Sequence, residues 1–143
     1  MGRILAIDYG SKRVGLAVTD PLKMIANGLT TVHSKDLIAF LKDYVAREPV
    51  ECMVVGEPFD MKNQASDAAR YIDPFVTHLR KTFPDIMVER MDERFTSQMA
   101  MQTMIDAGIN KKARRNKALV DTISATLILQ SYLEKLNYIS NRL

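Results

Sequence analysis

Residues 3–20 read R-I-L-A-I-D-Y-G-S-K-R-V-G-L-A-V-T-D. An apolar run, Ile4 to Ile7, leads straight into a carboxylate, Asp8. Tyr9, Gly10, Ser11, Lys12 and Arg13 form a turn, and a second apolar run, Val14 to Val18, returns. Two such runs around a polar turn predict a β-hairpin. Alternation along the first strand puts Ile4, Ala6 and Asp8 on one face, and Leu5 and Ile7 on the other. A carboxylate ending an apolar strand needs compensation by a cation, a metal or water. The alternative is that Asp8 opens the turn by bonding the backbone two residues on.

Downstream of the hairpin, Asp20-Pro21-Leu22-Lys23 reads as a turn and Met24 to Val32 as a third strand. Ser34 is placed to cap a helix carrying Leu37, Leu41, Tyr44 and Val45 on one stripe, closed by Pro49. Cys52 to Val55 is fully apolar, as suits a parallel strand covered on both faces. After a polar loop, Phe59 to Gln64, a second helix carries Ala68, Ile72, Phe75, Val76 and Leu79. Pro74 inside it predicts a kink, or a split with Asp73 capping the second half. Ile86 to Met91 alternates as a strand and ends in Asp92-Glu93-Arg94. A third helix opens at Phe95-Thr96-Ser97 and stops at Gly108. The last helix spans Ala118 to Leu136, apolar at Leu119, Ile123 and Leu127, and residues 137–143 read as a frayed tail.

The resulting order, β-β-β-α-β-α-β-α-α, predicts an α/β fold. Its five-stranded mixed sheet has the order 3-2-1-4-5, with helices on both faces. A single domain over residues 1–137, with residues 138–143 as its tail, fits a chain of 143 residues. The apolar fraction of 47% and charged fraction of 26% are those of a globular protein. One cysteine, Cys52, excludes an internal disulfide framework, and no Cys/His cluster of zinc type exists. The start is too acidic for a signal peptide, and no apolar run approaches membrane-spanning length, so a cytoplasmic protein with no membrane partner is expected. Net charge is only +3, so an anionic partner would have to be met by local clusters of charge.

Ligands of open α/β sheets collect beyond the carboxyl ends of the parallel strands. That rule gathers Asp8, Glu57, Asp92 and Glu93 at one edge, and Asp121 lies in the last helix among the small residues Ala118, Ser124 and Ala125. Carboxylates so crowded repel one another unless hard divalent cations, Mg²⁺ or Mn²⁺, bind between them. Two such ions about 4 Å apart can activate water and stabilise the leaving oxygen in phosphodiester cleavage. Singly, each acid has a plainer reading, with Glu93 paired to Arg94 and Asp121 to Lys117. Lys111, Lys112, Arg114, Arg115 and Lys117 place five basic residues in seven positions. At a helix N-terminus they oppose the macrodipole, which favours a phosphate-binding patch over a solvated helix start. Lys12 and Arg13 in the first turn could add to it.

Taken together, I-D-Y-G-S-K-R-V-G-L-A-V-T-D, V-V-G-E-P, D-E-R-F-T-S and K-K-A-R-R-N-K-A-L-V-D-T-I-S-A-T-L-I-L-Q-S-Y-L resemble the YqgF/RuvX family. This is the Holliday junction resolvase or pre-16S rRNA nuclease family, of RNase H-like fold. The resemblance spans Ile4 to Leu133. It implies a metal-dependent nuclease for structured nucleic acid: pre-rRNA in ribosome biogenesis, with ribosomal particles as further partners, or branched DNA in recombination and repair. It carries over Asp8, Glu93 and Asp121 as catalytic and metal-binding carboxylates. Two departures stand out: Glu57 replaces the family's usual apolar residue, making it an additional candidate ligand, and the loop after it lacks the usual Asp-Gly pair. Arg94 joins Lys12, Arg13 and the basic run as a candidate nucleic-acid contact. A monomer or weak homodimer is expected. The rivals are a binding module that holds nucleic acid without cutting it, and an ATP-binding lobe like those of sugar kinases. One lobe alone argues against the latter, since ATP normally sits between two.

Overall fold

The computed structural model describes residues 2–58, 69–93, 102, 105–108 and 116–142. Its centre is the hairpin of the opening stretch. Strand β1 (Arg3–Tyr9) pairs antiparallel with β2 (Arg13–Thr19), Asp8 lying opposite Gly15. Strand β3 (Ala26–His33) extends the hairpin on its far side. On the near side β4 (Val50–Pro58) runs parallel to β1, and β5 (Met87–Glu93) parallel to β4. The five-stranded sheet has the order β3-β2-β1-β4-β5, as the sequence predicts.

Helices α1 (Leu37–Arg47) and α2 (Ala69–Thr82) cover one face. Leu37, Leu41 and Tyr44 of α1 and Ile72, Phe75, Val76 and Leu79 of α2 pack on Leu5, Ile7, Val14, Leu16, Met53 and Val55. The other face carries α3 (Lys117–Arg142), whose Ala125, Ile128, Leu129, Tyr132 and Leu133 pack on Ile4, Ala6, Ala17, Cys52 and Val54. Alternation along β1 therefore holds: the parity of Ile4, Ala6 and Asp8 is the α3 side.

Several local expectations are corrected. Ser34 does not cap α1. Its hydroxyl donates to the Ser11 carbonyl at 2.8 Å, because its own amide already ties it to the hairpin turn through Lys12 O. A 3₁₀ turn, Ser34–Asp36, precedes α1 instead, capped by His33 Nδ1, which accepts from the Lys35 amide. Helix α2 runs unbroken through Pro74, and Asp73 pairs with Arg90 at 2.6 Å rather than capping. The buried side of α3 is not Leu119, Ile123 and Leu127, which are half-buried, but the stripe from Ser124 and Ala125 to Leu133. The helix also continues to Arg142, since no Gly or Pro follows Leu136 to stop it. Gly108, at φ +76°, accepts the left-handed conformation expected of a helix stop. The expected opening of the third helix, the loop Phe59 to Gln64 and Ala68 lie outside the described residues.

Candidate active site

The site is assembled where the β1–β2 turn meets the first turns of α3. Gly10 makes the turn possible: a Cβ there would lie 2.5 Å from the Arg13 carbonyl oxygen. Asn116 caps α3, its Oδ1 accepting from the amides of Ala118 and Leu119 at 3.1 and 3.3 Å. The Thr31 hydroxyl then fastens this end to β3, donating to the Ala118 carbonyl at 2.7 Å and meeting the Thr122 hydroxyl at 2.7 Å.

So anchored, α3 crosses directly over β2. A Cβ on Gly15 would lie 2.0 Å from the Asp121 carbonyl oxygen, so only glycine fits beneath the helix there. Gly15 is the cross-strand partner of Asp8. This close crossing brings the two carboxylates into one polar cavity of about 310 Å³, lined by Asp8, Gly10, Ser11, Lys12, Arg13 and Asp121. Arg13 Nε donates to Asp121 Oδ2 at 2.7 Å across 108 residues of sequence. The guanidinium is 44% exposed and the carboxylate 20%, so Arg13 can reach solvent while Asp121 sits deeper. Asp121 is thus paired with Arg13, not with Lys117, which begins α3 fully on the surface.

Other predicted positions are fixed only by backbone register. Glu57 lies opposite Asp92, and Pro58 opposite Glu93. Glu57 has the parity of Met53 and Val55, which pack towards α1 and α2; Glu93 has that of Met91, which packs towards α3. By backbone register, Glu93 occupies a strand position of the same parity as Asp8, and Glu57 one of the opposite parity. Arg94, Lys111, Lys112, Arg114 and Arg115 lie outside the described residues.

Asp8 and Asp121 offer hard carboxylate oxygens in a polar cavity, a donor chemistry that fits Mg²⁺ or Mn²⁺. Among the described residues, no cluster of three or more Asp, Glu, His or Cys side chains forms a complete cage. Gly15 was not singled out as a site residue. Its signal was present: a glycine inside an apolar strand marks a place where another backbone comes close.

The family profile described as "RuvX: Holliday junction resolvase" matches residues 2–135. The chain belongs to the RuvX family. A relative from Phocaeicola vulgatus, named "Putative pre-16S rRNA nuclease", is 62% identical over 139 residues, covering 97% of this chain and all of the relative. A relative of the same name from Flavobacterium johnsoniae is 58% identical over 133 residues, covering 93% and 96%. Among solved structures, T. thermophilus RuvC in complex with a Holliday junction superposes with a TM-score of 0.57 at 15% identity, over 95% of this chain and 96% of that one. At that identity RuvC supports the RNase H-like fold of this RuvX member and nothing narrower. Among the described residues no helix is long and apolar enough to cross a membrane.

Proposed function

We propose that this RuvX member is a Mg²⁺- or Mn²⁺-dependent endonuclease acting on structured nucleic acid in the cytoplasm. The favoured substrate is the 5′ end of pre-16S rRNA, by itself or in a ribosomal particle, as the names of the close relatives suggest. Branched DNA is the alternative suggested by the family description. One observation carries the reading: Asp8 and Asp121, from opposite ends of the chain, line one cavity together with Lys12 and Arg13.

Asp8 and Asp121 would hold the metal, with Glu93 completing the shell because its register parity is that of Asp8. Opposite parity makes Glu57 the weaker candidate. When bound, the ion supplies an activated water and stabilises the leaving oxygen. Arg13 neutralises Asp121 and steadies its carboxylate. Lys12, together with Arg94, Lys111, Lys112, Arg114, Arg115 and Lys117, would grip phosphates and so orient the scissile bond. Residues 1–137 would form the catalytic unit.

Cleavage of pre-rRNA and of a four-way DNA junction by the purified protein with Mn²⁺ tests this. Asp8→Asn should cut at least about 100-fold more slowly while still binding the preferred substrate. Equal cleavage of both substrates by Asp8→Asn overturns the assignment. Binding without cleavage by either protein establishes the non-catalytic module instead.

A further inference from the structure

The hairpin carries a second side chain of chemical interest, on the face away from Asp8. Tyr9 follows Asp8 on β1 and has the parity of Leu5 and Ile7, so it packs towards α1 and α2. Its ring stacks on that of Phe75 in α2, with centroids 4.3 Å apart and planes 12° from parallel. Phe75 is buried, so Tyr9 is held as a fixed, half-buried plate.

Both rings line a cavity of about 360 Å³. Leu37 and Ile38 at the start of α1, and Pro74 of α2, add apolar lining; Ser34 and the exposed His78 are its polar groups. Among the described residues, no Asp, Glu, Lys or Arg lines it. The cavity of Asp8 and Asp121 is its opposite, lined by charged and polar side chains.

The hairpin turn is a wall common to the two cavities. Ser11 and Lys12 line the carboxylate cavity, and Ser34 lines the aromatic one. Ser34 binds both: its hydroxyl donates to the Ser11 carbonyl at 2.8 Å and its amide to the Lys12 carbonyl at 2.9 Å. Asp8 and Tyr9 are consecutive, with Cα atoms about 3.8 Å apart. Their side chains lie on opposite faces of one strand end, within reach of a single nucleotide and its neighbour.

Resting on the reading of the chain as a nuclease, we propose that the aromatic cavity takes an unpaired nucleobase beside the scissile phosphate, stacked on Tyr9. A nucleobase is a planar, uncharged group with polar edges. The cavity offers an aromatic plate, apolar walls and two hydrogen-bonding side chains, in a volume suited to a small ligand. Ser34 commits its hydroxyl hydrogen to Ser11 and so presents lone pairs, whereas His78 can donate or accept. Phosphate has its own partners on the other side of the turn, Lys12 and Arg13. A base within a duplex has both faces covered by its neighbours and has to leave the stack to enter. The substrate selected is therefore a strand with an unpaired nucleotide next to the cut, not a fully paired one.

Two blunt duplexes, identical except for a single unpaired nucleotide in one of them, test this. Each is made as RNA and as DNA, and binding to the full chain is followed by fluorescence anisotropy without divalent metal. Wild type should prefer the duplex with the unpaired nucleotide, in whichever nucleic acid it binds. Tyr9→Leu, which keeps apolar volume but loses the ring, should weaken that complex at least about tenfold and leave the paired one within about twofold. Ile38→Trp, which fills the cavity and leaves Tyr9 in place, should have the same selective effect, and it decides the matter if Tyr9→Leu lowers the Tm. A wild type without preference, or variants that weaken both duplexes alike or neither, overturns the base pocket and leaves the nuclease reading standing. A protein that binds none of the duplexes overturns both.

Discussion

The two faces of the sheet are packed by opposite means. Beneath α1 and α2 the contacts are between long side chains: Leu5, Ile7, Leu16, Leu37, Leu41, Met53, Ile72 and Leu79 are all fully buried. Beneath the first half of α3 they are short: Ala6, Ala17 and Ala125 are buried, Gly15 meets the Asp121 backbone, and Gly28 meets the Thr122 side chain, while longer side chains such as Ile128, Leu129 and Tyr132 pack only further along the helix. The first face separates helix from sheet by whole side chains and contributes most of the burial. The second brings a helix backbone almost onto a strand. Only that second arrangement lets Asp121 share a cavity with Asp8, because a helix held off by leucines would leave the carboxylates too far apart to share an ion. Stability and chemistry are thus divided between two faces of one sheet, and substitutions on each should fail differently.

Gly15→Val should show the largest effect. Its Cβ would stand 2.0 Å from a backbone oxygen, which cannot move unless α3 lifts. A loss of about 3 kcal/mol or more in urea unfolding is expected, with cleavage by the remaining folded protein down on the order of 100-fold as Asp121 is displaced. Leu79→Ala on the opposite face should cost a comparable but smaller 2–3 kcal/mol or so through its cavity. Cleavage per folded molecule should stay at the wild-type level. If the two variants lose stability and per-molecule activity in the same proportion, the division between faces is wrong.

The contrast also explains what could be read in advance. Strand order and parallel crossovers follow from where apolar runs, Pro residues and helical stripes fall, all local signals. Asp8 stands out because a charge interrupts an apolar strand; Asp121 is singled out by the family resemblance, its small neighbours fitting tight helix–sheet packing equally well. Gly15 was harder: the reason for it is a helix backbone that arrives from residues far along the chain. The inward side of α3 is hard to read from periodicity for a related reason. The helix is apolar around most of its circumference, so periodicity cannot choose between Leu119–Ile123–Leu127 and Ser124–Ala125–Ile128. The thinness of the sheet at Gly15 and Gly28 chooses the side with the small residues. Ser34 likewise looked like a helix cap because its competing partner, the Ser11 carbonyl, is contributed by a turn 23 residues away.

Arg13→Gln probes the thin face at its surface, and its effect on stability should be below about 1 kcal/mol, since the Arg13–Asp121 pair is partly solvated. Affinity for nucleic acid should fall several-fold, and the salt dependence of binding should flatten by about one phosphate contact. Arg13→Lys should restore part of the affinity but less of the cleavage, since an ammonium lacks the planar Nε geometry seen on Asp121. Binding unchanged by Arg13→Gln, in an otherwise folded protein, would confine Arg13 to holding α3 in place.

The smallest expected effect lies deeper on the same face, where α3 also covers polar groups. The Cys52 thiol, 2% exposed, sits 3.8 Å from the Tyr132 hydroxyl. Burial foremost, with Glu89 and Glu51 adding, pushes this thiol from its ordinary 9.0 up to about 11, against the hydrogen bond from Tyr132. Burial and a hydrogen bond to Glu89 raise Tyr132 as well. A thiol whose pKa is raised on folding contributes in full where both states keep it protonated, and costs stability once the unfolded chain can ionise it and the native protein cannot. Relative to the protein at pH 8, its contribution is therefore complete below pH 9 and is lost as the pH climbs through about 11. Urea midpoints measured from pH 8 to 11 should decline, and Cys52→Ala should flatten the part of that decline above pH 9 while lowering the whole curve slightly through lost packing. On the thick face Tyr44 is raised by burial too, but Arg3 opposes the shift and so reduces its share of the decline. A decline that Cys52→Ala leaves unchanged would assign the alkaline sensitivity to Tyr132 and Tyr44 instead of the thiol.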